Sequence, residues 1–448
     1  MKPVKKIQDR SRLYTMLRRY VEWSLLQAYR EHEIIGLENI PDNASIILAP
    51  NHTNALMDAL VILSMNKPYK VFVARADMFK VRLFAKILTF LKIMPIMRIR
   101  DGVDEVKKNQ ETIDKSVSVL NDGIPFCILP EGTHRAQHSL LPLGKGIFRI
   151  GLQAQEQLED TRDVCIVPVG IEYGNYFRYR STAFIQVGEP INLREEQKAH
   201  PELQPAELTN LLRQKLTKAM QDLILYLPAN EQYDAAHELV ILVNEATQKA
   251  LRAEGFSGSQ LHCRVKASQR VANQIATWSE SQPEKLAELL QLSQSIHDER
   301  LRCKISASST VTRCPWRKRL PSYLLSLVAS PYLLACLLAY APMAGISKIL
   351  LGLFKDLAFH NSIRLVIHLI FWPLMMLIYG IVLFCNLPWE WALLAFTALS
   401  PFPIFAQDAF RSLRLFVSDC KLTANKGLRK SIRKARELYQ QLAKNDNQ

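Results

Sequence analysis

The chain has 448 residues, 48% of them hydrophobic, which is enough for a sizeable core plus further domains and too apolar for a disordered protein. A formal charge of +15 suits an anionic partner; with no recognisable nucleic-acid-binding fold and no interleaved aromatic platform, that partner is read as lipid headgroups or a phosphorylated substrate, not nucleic acid. Eight scattered cysteines, without a C-x-x-C pair or zinc-like Cys/His spacing, indicate neither a disulfide framework nor a metal site.

The first residues, "MKPVKKIQDRSRLYTMLRRY", are basic and lack the apolar run of a secretory signal, so this end is expected in the cytosol. Leu13, Leu17, Tyr20, Val21, Ser24, Leu25 and Ala28 recur at helical spacing among Arg12, Arg18, Arg19 and Arg30. This predicts an amphipathic helix within residues 1–33, either lying on a membrane or packed on the domain that follows. Between 44 and 191, "ASIILAP", "KVFVARA", "MPIMRIR", "IPFCILP", "VCIVPVGIEY" and "TAFIQVGEPI" alternate with helix-length segments. That pattern predicts an α/β domain over 34–228, a mostly parallel sheet flanked by helices, with its site at the C-terminal ends of the strands.

Residues 229–316 read as a soluble helical segment. Apolar stretches then follow at 323–345, 365–385 and 391–406. Lys and Arg flank the first stretch on both sides, whereas the link after 385 has none, so 317–406 is expected to be a membrane region. In it 323–345 is interfacial or re-entrant, and 365–385 and 389–406 form a spanning hairpin; the alternative is three spans, which would put the basic tail outside. A basic cytosolic tail, 407–448, is expected to attract anionic lipid.

Chemistry concentrates in "NHTNALMDAL". Residues six apart on one helix face different ways, so His52 and Asp58 can pair only across a break. Thr53 or Asn54 is predicted as the N-cap, with His52 on the loop and Asp58 a turn into the helix, the arrangement of an imidazole general base oriented by a carboxylate. "ILPEGTHR" (128–135) ends a buried-looking strand in residue types suited to anion and hydroxyl binding. A mixed metal site from His52, Asp58, Glu131 and His134 is the competing use of the same atoms.

Four ordered blocks, "NHTNALMD", "MPIMRIRD", "LPEGTH" and "IVPVGIEY", resemble the phospholipid/glycerol acyltransferase family, which includes lysophosphatidate and glycerol-3-phosphate acyltransferases, over about 34–195. The resemblance implies a membrane-bound enzyme of phospholipid synthesis, with acyl-CoA or acyl carrier protein as co-substrate and no cofactor. The acyl group would pass to a hydroxyl of glycerol 3-phosphate or its 1-acyl derivative. It implies His52 as base and Asp58 as its partner, Arg75, Arg98 and the end of the third block (His134, Arg135) on the acceptor phosphate, Glu131, Gly132 and Thr133 lining the acceptor site, and Pro168 shaping the acyl side. Two features depart from the common pattern. Five residues separate His52 from Asp58, a spacing similar to that of the fungal glycerol-3-phosphate enzymes, and His134 stands where arginine is frequent. The competing readings are acylation of a non-glycerol lipid acceptor, such as an amine-bearing one, and a non-catalytic module that binds anionic lipid.

Overall fold

Helix α1 (Arg12–Ala28) starts at Ser11, whose hydroxyl accepts the Tyr14 N–H, and runs directly into strand β1 (Tyr29–Ile35). The computed structural model describes residues 6–9, 11–65, 70–96, 109–158, 161–312, 315–354 and 356–445. They fall into two compact units, the first reaching Ile224 and including Asp356–Ser362, the second holding the remainder.

In the first unit β1 is followed by β2 (Ser45–Pro50), α2 (Leu56–Leu63), β3 (Val71–Arg75), α3 (Arg82–Phe90), β4 (Ile93–Ile96), α4 (Asn109–Asn121), β5 (Phe126–Cys127), α5 (Gly146–Leu158) and β6 (Val164–Tyr173). Then come β7 (Ser181–Val187), β8 (Ile191–Asn192), α6 (Leu193–Ala199) and α7 (Pro205–Leu223). The described strands form one sheet in the order β1-β7-β6-β2-β5-β3-β4, with β8 on β6. Pairings are parallel except β6 with β7 and β6 with β8, as the strand–helix alternation predicts. Leu208, Leu212, Leu216 and Met220 repeat every four residues, giving α7 one apolar stripe for the sheet core, which α4 and α5 also cover. Gly170 of β6 lets the α7 terminus approach, since a Cβ there would lie 2.7 Å from the Leu223 carbonyl oxygen.

Three features depart from expectation. β1 was not foreseen, because "YREHEII" is heavily charged; as an edge strand paired only with β7 it can carry those charges into solvent. α1 packs on the domain that follows through Tyr14, Ser24, Leu25 and Ala28, which are buried, while Leu13, Met16, Leu17, Trp23 and Leu26 are exposed. The cap of α2 is neither Thr53 nor Asn54 but Ala55, at φ +45°, because Asp58 itself reaches back from the first turn to bond the loop.

The second unit contains α8 (Tyr233–Ala253), α9 (Gln260–Ser281), α10 (Pro283–Arg302), α11 (Ala307–Thr310), α12 (Pro315–Val328), α13 (Ser330–Leu353), most of α14 (Ala358–Asn386), α15 (Trp389–Leu399), α16 (Phe402–Ala424) and α17 (Lys426–Asn445). The predicted basic tail is helical, in α16 and α17. Leu428, Ile432, Ala435, Tyr439 and Leu442 of α17 share one core with Leu239, Val243, Trp278 and Leu289, so the helix is part of the bundle and turns Arg429, Lys430 and Arg433 outward. Beside that core, Arg300 forks onto the fully buried Glu238, with its Nε 2.9 Å from both carboxylate oxygens. α13 and α14 are each long and apolar enough to cross a membrane, and α15 with α16 makes a pair bent by 46°. By length and composition the first stretch is thus a candidate span, not only an interfacial segment.

Candidate active site

The site stands where strands end. His52 follows β2, Arg75 closes β3, Glu131 follows β5, and Tyr173 closes β6, all at the C-terminal side of the parallel sheet. Asn51 makes the exit sharp: its side chain accepts the Ile171 N–H at 2.7 Å and donates to the Ile171 carbonyl at 3.1 Å, continuing the ladder to β6 while the main chain turns away. His52 is the first residue released from the sheet.

The break required between His52 and Asp58 is present. Asp58 is fully buried, and its Oδ2 accepts the Thr53 and Asn54 N–H groups, each at 2.8 Å, and lies 2.8 Å from His52 Nδ1; Oδ1 accepts the Tyr173 hydroxyl at 2.8 Å. A carboxylate that only accepts leaves Nδ1 to donate, so the proton sits there and Nε2 keeps the lone pair. The carboxylate sits in the first turn of α2, where the helix dipole favours its charge. Burial first, and the Asp58 charge second, push the Tyr173 phenol well above its ordinary range, so Tyr173 remains a donor.

Glu131 holds the His52 backbone. Its Oε1 accepts the His52 N–H at 2.6 Å and its Oε2 accepts the Leu141 N–H at 2.7 Å, while the His52 carbonyl takes the Arg135 N–H at 3.2 Å. Burial pushes the Glu131 carboxyl up to about 7, against the pull of those backbone donors. Gly132 occupies φ +65°, where a side chain would be strained, and turns the chain between Glu131 and Thr133.

A groove of about 1140 Å³ opens over this corner. His52, Arg75, Glu131, Gly132, Thr133 and His134 all line it, together with the cations Lys145, just before α5, and Arg149 within it. Its remaining wall is largely apolar, with Val73, Ile96, Ile113, Ile128, Ile147 and Ile150. The predicted set is not gathered completely. Arg135 is not among the lining residues, and its Nη2 donates to Ser139 at 2.7 Å. Arg75 lines the groove but pairs with Asp77, two residues on. Arg98 lies outside the described residues. Pro168 is not among the lining residues: it sits in β6 opposite Ala49 of β2, between the segments paired with β8 (Cys165, Ile166) and with β7 (from Val169). No group of three or more His, Cys, Asp or Glu among the described residues is placed to hold a metal ion, so the competing metal reading gains no geometric support.

The family model described as Acyltransferase matches residues 31–172, from within β1 to the penultimate residue of β6, and with them His52, Asp58, Glu131 and Glu172. Residues 31–172 are an acyltransferase-family domain. A chloroplast 1-acyl-sn-glycerol-3-phosphate acyltransferase of Brassica napus is 26% identical over 132 residues, 29% of this chain and 36% of that protein. The corresponding chloroplast protein of Arabidopsis thaliana is 24% identical over 151 residues, 33% of this chain and 38% of that protein. Glycerol-3-phosphate O-acyltransferase 2 of Saccharomyces cerevisiae is 30% identical over 112 residues, 25% of this chain and 15% of that protein. The chain therefore spans little more than a third of the length of the plastid relatives. The crystal structure of the acyltransferase PlsC from Thermotoga maritima aligns at a TM-score of 0.34 and 18% identity, over 48% of this chain and 83% of that one.

The first unit also holds residues that the motifs did not point to. Tyr173 ends the fourth block and completes the shell around Asp58 from 115 positions away. Its neighbour Glu172 lies on the other face of β6, as strand alternation demands, and pairs with His138 Nδ1 at 3.0 Å, with the Tyr176 hydroxyl 3.1 Å from the same nitrogen. Glu172 thereby ties the loop after the third block to the sheet. Only the block boundary at Tyr173 could have signalled this region; His138 stands in no motif.

Proposed function

We propose that the first unit transfers a fatty acyl group from a thioester donor, acyl-CoA or acyl carrier protein, to a hydroxyl of glycerol 3-phosphate or its 1-acyl derivative. The observation that carries this is the His52–Asp58 pair, oriented on every side, at the wall of a groove with an apolar lining and a cationic rim. Nε2 takes the proton of the acceptor hydroxyl as its oxygen attacks the thioester carbonyl; the C–S bond breaks, and the imidazolium returns the proton to the departing thiolate. Asp58 steadies the imidazolium while it exists, and no acyl-enzyme forms. The apolar wall suits the acyl chain, and Arg75, Lys145 and Arg149 suit phosphate groups of donor or acceptor. Catalysis is placed on the cytosolic face of a membrane held by the apolar helices of the second unit.

The test is direct. Purified full-length protein, given a radiolabelled acyl thioester and a panel of glycerol phosphates, should release thiol and form labelled ester. His52→Ala should lower turnover by about two to four decades. A near-normal rate in that variant would remove the mechanism, and labelled product with amine-bearing but not phosphorylated acceptors would move the substrate class.

A further inference from the structure

His134 is the groove residue whose chemistry departs most from the motif, and the structure gives it a partner from far along the chain. Its Nε2 lies 3.0 Å from Asp356 Oδ2, across 222 positions, and Asp356 stands in the short link between α13 and α14, a segment that belongs to the first unit. Phe359, one turn on, packs edge-on against the His134 ring with centroids 5.2 Å apart, and His134 packs edge-on against His52 at 5.4 Å. Asp356 also accepts the Ala358 N–H at 2.9 Å, which fixes its carboxylate at the start of α14. The result is a row of three rings beside the groove, with a carboxylate bonded to the middle one. We propose that Asp356 competes with the anionic headgroup of the acceptor for His134, and so sets the affinity and charge preference of the acceptor site.

The proposal rests on the acyltransferase reading and adds the residue that tunes its acceptor. Asp356 is about half exposed and His134 mostly covered, so the pair is held loosely at the groove edge, not locked inside. A phosphate offers more charge and more acceptor oxygens than one carboxylate, and can displace it. Sequence proximity explains the Arg75–Asp77 contact, whereas only the fold can bring Asp356 to His134.

Asp356→Asn and Asp356→Ala are compared with wild type, using 1-acylglycerol 3-phosphate and unphosphorylated 1-acylglycerol as acceptors. Release of the competitor should lower KM for the phosphorylated acceptor about two- to fivefold, the worth of a partly exposed ion pair. The donor KM, kcat and the KM for unphosphorylated acceptor should stay unchanged. A KM that is unaltered, that rises because the carboxylate merely positions His134, or that falls equally for both acceptors overturns the proposal while leaving the acyltransferase reading intact. A wild type that acylates neither acceptor overturns both.

Discussion

Tyr173 donates a proton it cannot lose to a carboxylate that needs donors, and this makes it the residue by which orientation can be told apart from proton transfer. Tyr173→Phe should reduce kcat about tenfold, the loss of roughly one hydrogen bond to a charged group, with substrate KM unchanged. An unchanged kcat would show that the phenol only fills space beside Asp58. Glu131 makes a second prediction. In the unfolded chain its carboxyl ionises near the ordinary 4.5, and in the folded chain near 7, so the folded state keeps a proton that the unfolded state has released. The stability this provides is complete below about 4.5 and is lost as pH rises through about 7, on the order of 3 kcal/mol in all. Melting of the wild type in detergent should therefore drop more steeply than that of Glu131→Gln over this interval. His52 and Asp58 were legible because one loop and one helical turn join them. Tyr173, His138 and Asp356 were not, because each reaches its partner through the fold, with no local spacing to betray it.

Among the elements, central strands declared themselves by unbroken apolar runs, and the α7 and α10 stretches by their period. β1 hid because an edge strand is under no pressure to be apolar, and α17 hid because its cations outnumber the apolar stripe it buries. The α2 entrance misled for a different reason: capping residues preceded the helix in sequence, yet the helix's own Asp58 took the donors they were expected to satisfy. In the helical unit, Arg300→Ala would leave the buried Glu238 with His297 Nδ1, 3.4 Å away, in place of a guanidinium fork, and should destabilise the unit by about 3 kcal/mol. Arg300→Met combined with Glu238→Leu should recover most of that loss in chemical denaturation, since an apolar pair needs no desolvation; failure of the double variant to recover would mean the ion pair itself sustains the bundle.

For the whole molecule, membrane contact is expected at more than one place. The outer face of α1 carries Leu13, Met16, Leu17 and Trp23 beside Arg12 and Arg19, a pattern that suits an anionic interface. In nanodiscs, photoreactive acyl chains should crosslink to residues 12–28, and serine at positions 13, 16 and 17 should abolish that labelling without lowering the melting temperature. The shared core of α8, α10 and α17 has a consequence of its own: two segments that pack together cannot be parted by a bilayer, so the number of crossings between them is even. Two crossings among the apolar helices between them would bring α17 back to the side of α8, and three would not. With Cys303, Cys385 and Cys420 replaced by serine, a membrane-impermeant maleimide should consequently reach Glu284→Cys on α10 and Arg433→Cys on α17 from the same face, and labelling of the two from opposite faces would break the parity.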